Sequence, residues 1–106
     1  MRRRHSFHRD QYGHSITVNV RSGLLTETEL LVDGKEVGFL RERGTGHLPR
    51  RLTGELPDHP ARPFTVRLDR PAPGLHLPTC VLELEGRALP MPDQVAHPEP
   101  SRAAAR

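Results

Sequence analysis

Residues 26–41, TETELLVDGKEVGFLR, decide the fold. Apolar and polar residues alternate on both sides of Asp33-Gly34. Such a pair between two alternating runs is a strong short-range hairpin signal, because both central positions of a type I′ turn need positive φ. With Asp33 and Gly34 as the loop, Val32 faces Lys35, Leu30 faces Val37 and Thr28 faces Phe39. The opposite side pairs Leu31 with Glu36 and Glu29 with Gly38. The first side is the more apolar and is expected to form the core side, with Phe39 in it. Glu27, Glu29 and Glu36 then fall on an outer, solvated face.

The same grammar extends outward. Residues 14–20, HSITVNV, put Ile16, Val18 and Val20 on one side in strict period two, the mark of a half-buried strand. Residues 64–69, FTVRLD, do the same with Phe64, Val66 and Leu68. Residues 80–91, CVLELEGRALPM, read as a second hairpin about Glu85-Gly86, with Leu82 facing Leu89 and Cys80 facing Met91. Pro90 and Pro92 fall at non-hydrogen-bonded positions of that pair, so residues 87–92 suit an edge strand that the prolines guard against further pairing.

The stretch ITVNV…LLVDGKEV at 16–37 therefore parallels FTVRL…LELEGRAL at 64–89. Each unit is strand, loop, hairpin. Neither unit can bury a face alone, so the expectation is an all-β fold, a small antiparallel β-sandwich of two similar strand-plus-hairpin units. Pro and Gly interrupt every long window, and no segment carries a helical period. Residues 43–62 are rich in Gly, Pro and Arg, with Leu52 and Leu56 marking one short strand. Residues 1–13 read as a basic N-terminal arm or edge strand and 14–92 as a single sandwich domain. Residues 93–106, which lack apolar periodicity, read as a disordered tail.

The order of strand, loop, strand and VDGKEV, followed by TVRLD, a loop and VLELEGRAL, resembles the Fas apoptosis inhibitory molecule family, compact β-sandwiches with similar VDGK and EINGK turns. The resemblance covers residues 14–42 and 64–91. The chain departs from that pattern in having no tryptophan and in the stretch 47–62, which has no equivalent. The resemblance implies the sandwich fold and a non-enzymatic, protein-binding role. It does not imply apoptosis regulation.

Composition narrows the function classes. A chain of 106 residues with 34% hydrophobic content, eleven prolines and nine glycines holds one modest core. One cysteine, Cys80, forms no internal disulfide, although secreted domains of this size usually need them. The opening MRRRHSFHRD has a basic run with no apolar stretch behind it, so an ordinary secretory signal is not expected. No run nears the roughly 20 apolar residues of a membrane span, so no membrane contact is expected and the cytoplasm is the default address. Arginine supplies all the basic residues except Lys35, which together with abundant Pro, Ala and Gly reads as the coding bias of a GC-rich, bacterial genome. The interspersed acids leave a net charge of only +3.

Each constellation that could carry chemistry has an ordinary structural explanation beside it. His5, His8 and His14 are the first group to test for metal, yet no His-x-x-x-His helix or Cys-x-x-Cys accompanies them. Cys80 faces inward and has no neighbouring base, and Ser6, Ser15 and Ser22 lie in no nucleophile elbow. Gly44-Thr45-Gly46 is followed by neither Lys-Ser nor a helix, so it is no phosphate loop. No catalytic residue, cofactor or metal is therefore expected. The expected function is a binding module for a protein partner, meeting it through the first hairpin's outer face at Leu31 and Glu36 or through Arg2, Arg3 and Arg4. The alternative is a nucleic-acid accessory protein using that basic arm with Arg41, Arg43, Arg50 and Arg51.

Overall fold

Tyr12-Gly13, Asp33-Gly34 and Glu85-Gly86 each hold two successive positive φ angles, 54° and 76°, 52° and 83°, and 53° and 76°. That geometry reverses the chain in two residues while matching the twist of the flanking strands. In the computed structural model, which describes residues 3–43, 49–69 and 78–94, these turns organise eight strands. They are β1 (Arg3–Gln11), β2 (His14–Ser22), β3 (Leu25–Val32), β4 (Lys35–Arg43), β5 (Arg50–Leu56), β6 (Arg62–Asp69), β7 (Thr79–Leu84) and β8 (Arg87–Met91). The first four form one antiparallel meander and the last four another, each in sequence order. The protein is all-β, and the two meanders carry the two similar units, each preceded by one further strand, β1 or β5.

The core lies between the sheets. Ile16, Val18 and Val20 on β2 and Phe64, Val66 and Leu68 on β6 are all buried, at equivalent places in the two units. Leu30 and Val32 on β3 correspond to Leu82 and Leu84 on β7 in the same way. Fully burying one such side chain stabilises the fold by about 1.5–3 kcal/mol. The sheets approach closely where Leu30 reaches across to β5. A Cβ placed on Gly54 would stand 2.9 Å from the Phe64 ring and 3.3 Å from Leu30 Cδ2, so any larger residue must displace the ring.

The second hairpin has the expected register, Cys80 opposite Met91 and Leu82 opposite Leu89. The first keeps its expected register only through Val32–Lys35 and Leu31–Glu36. Beyond them β4 carries an extra residue, Val37, so Leu30 faces Gly38, Glu29 faces Phe39 and Thr28 faces Leu40. This β-bulge turns the rest of β4 over. Leu40 packs on the core, and Phe39, expected inside, is 47% exposed. Gly38 now faces inward, where a Cβ would lie in ordinary contact with Leu30 Cβ of the neighbouring strand at 3.4 Å and Leu52 Cδ2 of the opposite sheet at 3.5 Å.

The two sheets meet along both edges. On one side Arg50 of β5 bonds Glu42 of β4. On the other, β1 lies beside the chain that leaves β8. The His8 amide donates to the Pro92 carbonyl at 3.1 Å, the Gln94 amide donates to the Ser6 carbonyl at 2.6 Å, and Phe7 bridges Asp93. The prolines thus do not seal this edge. Their nitrogens donate nothing, but their carbonyls accept, Pro90 from Arg9 Nη1 at 2.9 Å. Asp93 and Gln94, read as tail, engage β1, whereas residues 95–106 lie outside the described residues. Arg3–Gln11 is a strand paired along its length with β2.

Candidate functional site

Two polar constellations stand out, one at an end of the sandwich and one on a face. The end carries all four links within strand pairs β1–β2, β3–β4, β5–β6 and β7–β8. His14, the first residue of β2, is fixed there between carboxylates of opposite sheets. Its Nδ1 lies 2.7 Å from Asp33 Oδ2 and its Nε2 2.7 Å from Asp58 Oδ1. Asp33 also accepts the Ser15 amide at 2.9 Å. Arg62 Nε donates to Asp58 at 2.8 Å, and Arg62 Nη1 to Glu85 at 2.9 Å. The same guanidinium stacks 3.8 Å over the Tyr12 ring, whose hydroxyl donates to Glu85.

These bonds set the protonation states. Asp58 and then Asp33 hold the His14 imidazolium above its ordinary range. The Ser15 amide and His14 hold Asp33 below its own, and His14 and Arg62 do so for Asp58. Both nitrogens of His14 are engaged and no nucleophile touches it. The arrangement fastens one sheet to the other and leaves no base free for acid–base chemistry.

The three histidines expected to test for metal do not converge. His5 and His8, three apart on a strand, point to opposite sides of the sheet. His5 is buried, 2.7 Å from Asp93 Oδ2 and stacked on Phe7. His8 lies outside, 3.0 Å from both Thr17 and Asp10. Among the described residues no group of His, Cys, Asp and Glu could hold a metal ion. Cys80 is buried with its Sγ 3.7 Å from Met91 Sδ, and burial pushes its thiol up to about 12.

The arginines expected to form one basic surface are dispersed. Arg2 lies outside the described residues, as does the Arg3 side chain, and Arg4 is exposed on β1 opposite Arg21. Arg41 is bound to Glu27 at 3.1 Å, and Arg43 is exposed at the end of β4. Arg50 is not a surface residue: it is 7% exposed and bonded to Glu42. Arg51 sits on the outer face of the other sheet, 3.8 Å from Glu83.

The face is the outer side of β3 and β4. Leu31 is half-buried there, with Glu36 directly opposite. Val37 and Phe39 stand beside them, each 47% exposed. Glu29 opposes Phe39 and accepts from Asn19 Nδ2 at 3.2 Å. The nearby Glu29 carboxyl, through hydrogen bonding and then through its charge, together with burial, raises the Glu36 carboxyl above its ordinary range. Arg41 closes one end of the strip, its guanidinium 5.7 Å from the Phe39 centroid. Sequence reasoning found Leu31, Glu29 and Glu36 on this face and missed Phe39, whose side of the sheet is decided by the bulge.

No helix among the described residues is long and apolar enough to cross a membrane. No family model, curated protein or solved structure matches the chain.

Proposed function

We propose that the domain is a non-enzymatic, cytoplasmic binding module that engages a protein partner through the outer face of β3 and β4. The observation that carries this is Phe39. One of only three phenylalanines in the chain, it is re-aimed into solvent by a bulge, next to exposed Val37 and half-buried Leu31. Bulges commonly re-aim a side chain at functional places, and clustered exposed apolar groups mark interaction surfaces. An unpaired, buried Cys80 in a sandwich without disulfides suits a reducing compartment.

A nucleic-acid role has less support. Arg41, Arg50, Arg51, Arg62 and Arg67 each already sit in ion pairs with carboxylates of this chain. Phosphate binding needs cations free to gather on one side.

Immobilised wild-type and Phe39→Ser proteins, exposed to lysate of the source cells, test the assignment. A protein retained by the wild type and lost with Phe39→Ser is the expected outcome. Retention that ignores Phe39→Ser but disappears with nuclease, or with Arg4→Ser and Arg21→Ser together, would transfer the function to nucleic acid.

A further inference from the structure

Two four-stranded sheets have four edge strands, β1, β4, β5 and β8, and an edge strand offers backbone groups that another chain can pair with. Three of these edges offer little. β1 is bonded to residues 92–94. β8 turns Pro90 outward, which has no N–H to give and whose carbonyl is taken by Arg9. β5 shows solvent only the polar side chains of Arg51, Thr53 and Glu55. β4 is different. It runs nine residues without a proline, carries exposed Val37 and Phe39, and pairs among the described residues with β3 alone.

The pairing pattern says which groups β4 leaves open. The Asp33 amide bonds the Ser15 carbonyl, so on β3 it is Leu31, Glu29 and Glu27 that turn their backbone toward β2. Alternation in an antiparallel ladder then turns Leu30, Thr28 and Thr26 toward β4. Their partners Gly38, Leu40 and Glu42 are thereby used, and Phe39, Arg41 and Arg43 point their N–H and C=O groups away from β3. The bulge at Val37 lies outside this stretch, whose register is regular from Gly38 to Arg43.

Resting on the reading of β3 and β4 as the partner surface, we propose that β4 pairs antiparallel, edge to edge, with β4 of a second copy of this chain, about a twofold axis at Leu40. Phe39 of each copy then exchanges backbone hydrogen bonds with Arg41 of the other. Self-complementarity selects this occupant. On the outer face Phe39 lies beside Arg41 of the second copy, the cation–aromatic contact that the two residues already make within one chain at 5.7 Å. Next along, exposed Val37 and Glu36 at the bulge stand opposite Arg43 of the second copy, acid against cation, and the twofold repeats both contacts. On the inner face the half-buried Leu40 side chains meet, and Gly38 leaves room for Glu42 of the second copy. A register with Phe39 opposite itself would set Leu40 against Gly38 and lose the contact between the two leucines.

Sedimentation equilibrium of the full chain tests the pairing. The wild type should form dimers with a Kd on the order of 10–100 μM, as suits a small edge interface. Across that range of concentration, hydrogen exchange of the Phe39 and Arg41 amides should slow. Glu36→Arg and Arg43→Glu, both at exposed positions, should each weaken association about tenfold. An equimolar mixture of the two variants should recover it, because every cation then faces an acid. A wild type that stays monomeric at about 1 mM would overturn the second copy, and retention from lysate with Phe39→Ser then decides separately whether this region meets another protein. Slow exchange of Phe39 and Arg41 already in the dilute protein would show the edge covered and overturn the pairing. So would dimers that the two charge variants leave as strong as the wild type, or a mixture that recovers nothing.

Discussion

In the hairpin of β7 and β8, every residue of one strand meets one residue of the other, and Met91 ends opposite Cys80 inside the core. In the hairpin of β3 and β4, the extra Val37 displaces the ladder, and Phe39 ends outside beside Glu29. Both hairpins open on a two-residue turn with two successive positive φ angles. The difference teaches that a turn sets register only for the first pairs. Further along, a bulge can still turn the strand over, and here it places Gly38 against Leu30 and Leu52.

The sharpest way to break the comparison is to truncate the two residues that the sequence pattern treats as equivalent. Met91, 3% exposed, should cost about 2–5 kcal/mol as Met91→Ala. Phe39→Ala should lie within about 1 kcal/mol of the wild type, since surface changes are small. Urea unfolding of both variants reads the difference, and equal costs would show that Phe39 is a core residue.

Next in size is the crowding at Gly54. Gly54→Ala places a Cβ 2.9 Å from the Phe64 ring of the paired strand and 3.3 Å from Leu30 of the opposite sheet and should cost about 1–3 kcal/mol. Gly38→Ala makes only ordinary contacts, the nearest at 3.4 Å, and should melt close to the wild type. Reversal of that order in thermal unfolding would move the tight seam from β5 to β4.

A third change makes the first unit more like the second. Thr28 is buried at the place that Cys80 takes in the other unit, and its hydroxyl has no hydrogen-bond partner among the described residues. Thr28→Val should stabilise by about 1 kcal/mol, the order of an unmet buried polar group. A loss of stability in urea would mean that the hydroxyl is satisfied.

The smallest effect belongs to the place where the units are fastened together. His14 has its pKa raised in the folded state, so its contribution is complete below about 6.5, the ordinary imidazole value, and is lost as pH rises through the folded value. Asp33 and Asp58 are lowered, so theirs is present above about 4 and is lost as pH falls through their folded values. Stability measured from pH 6 to pH 9 should decline in the wild type and decline less in His14→Gln. Parallel curves would show that the imidazole carries no linkage.

These cases mark what could be read from the chain. The second hairpin was legible to the last pair because turn and alternation agree there. In β4 they conflict: Val37 and Phe39 offer one alternation and Gly38 and Leu40 another, and the sequence pattern alone does not choose between them. Leu31, Glu29 and Glu36 were placed correctly because they precede the bulge or sit beside the turn. The cluster around His14 was not legible at all. Its second carboxylate, Asp58, is 44 residues away and arrives through the packing of one sheet on the other.

The seam between β1 and the segment after β8 orders events during synthesis. β1 leaves the ribosome before the other seven described strands, yet its outer edge waits for residues 92–94, and the bond from His5 to Asp93 spans 88 positions. Until Asp93 emerges, the backbone groups of Ser6 and His8 that will face it have no partner, and that edge is open to pairing with another nascent chain. A chain stalled after Gly86 would hold most of its core and still expose that edge. The last few residues of the seam therefore separate a closed sandwich from a sticky intermediate.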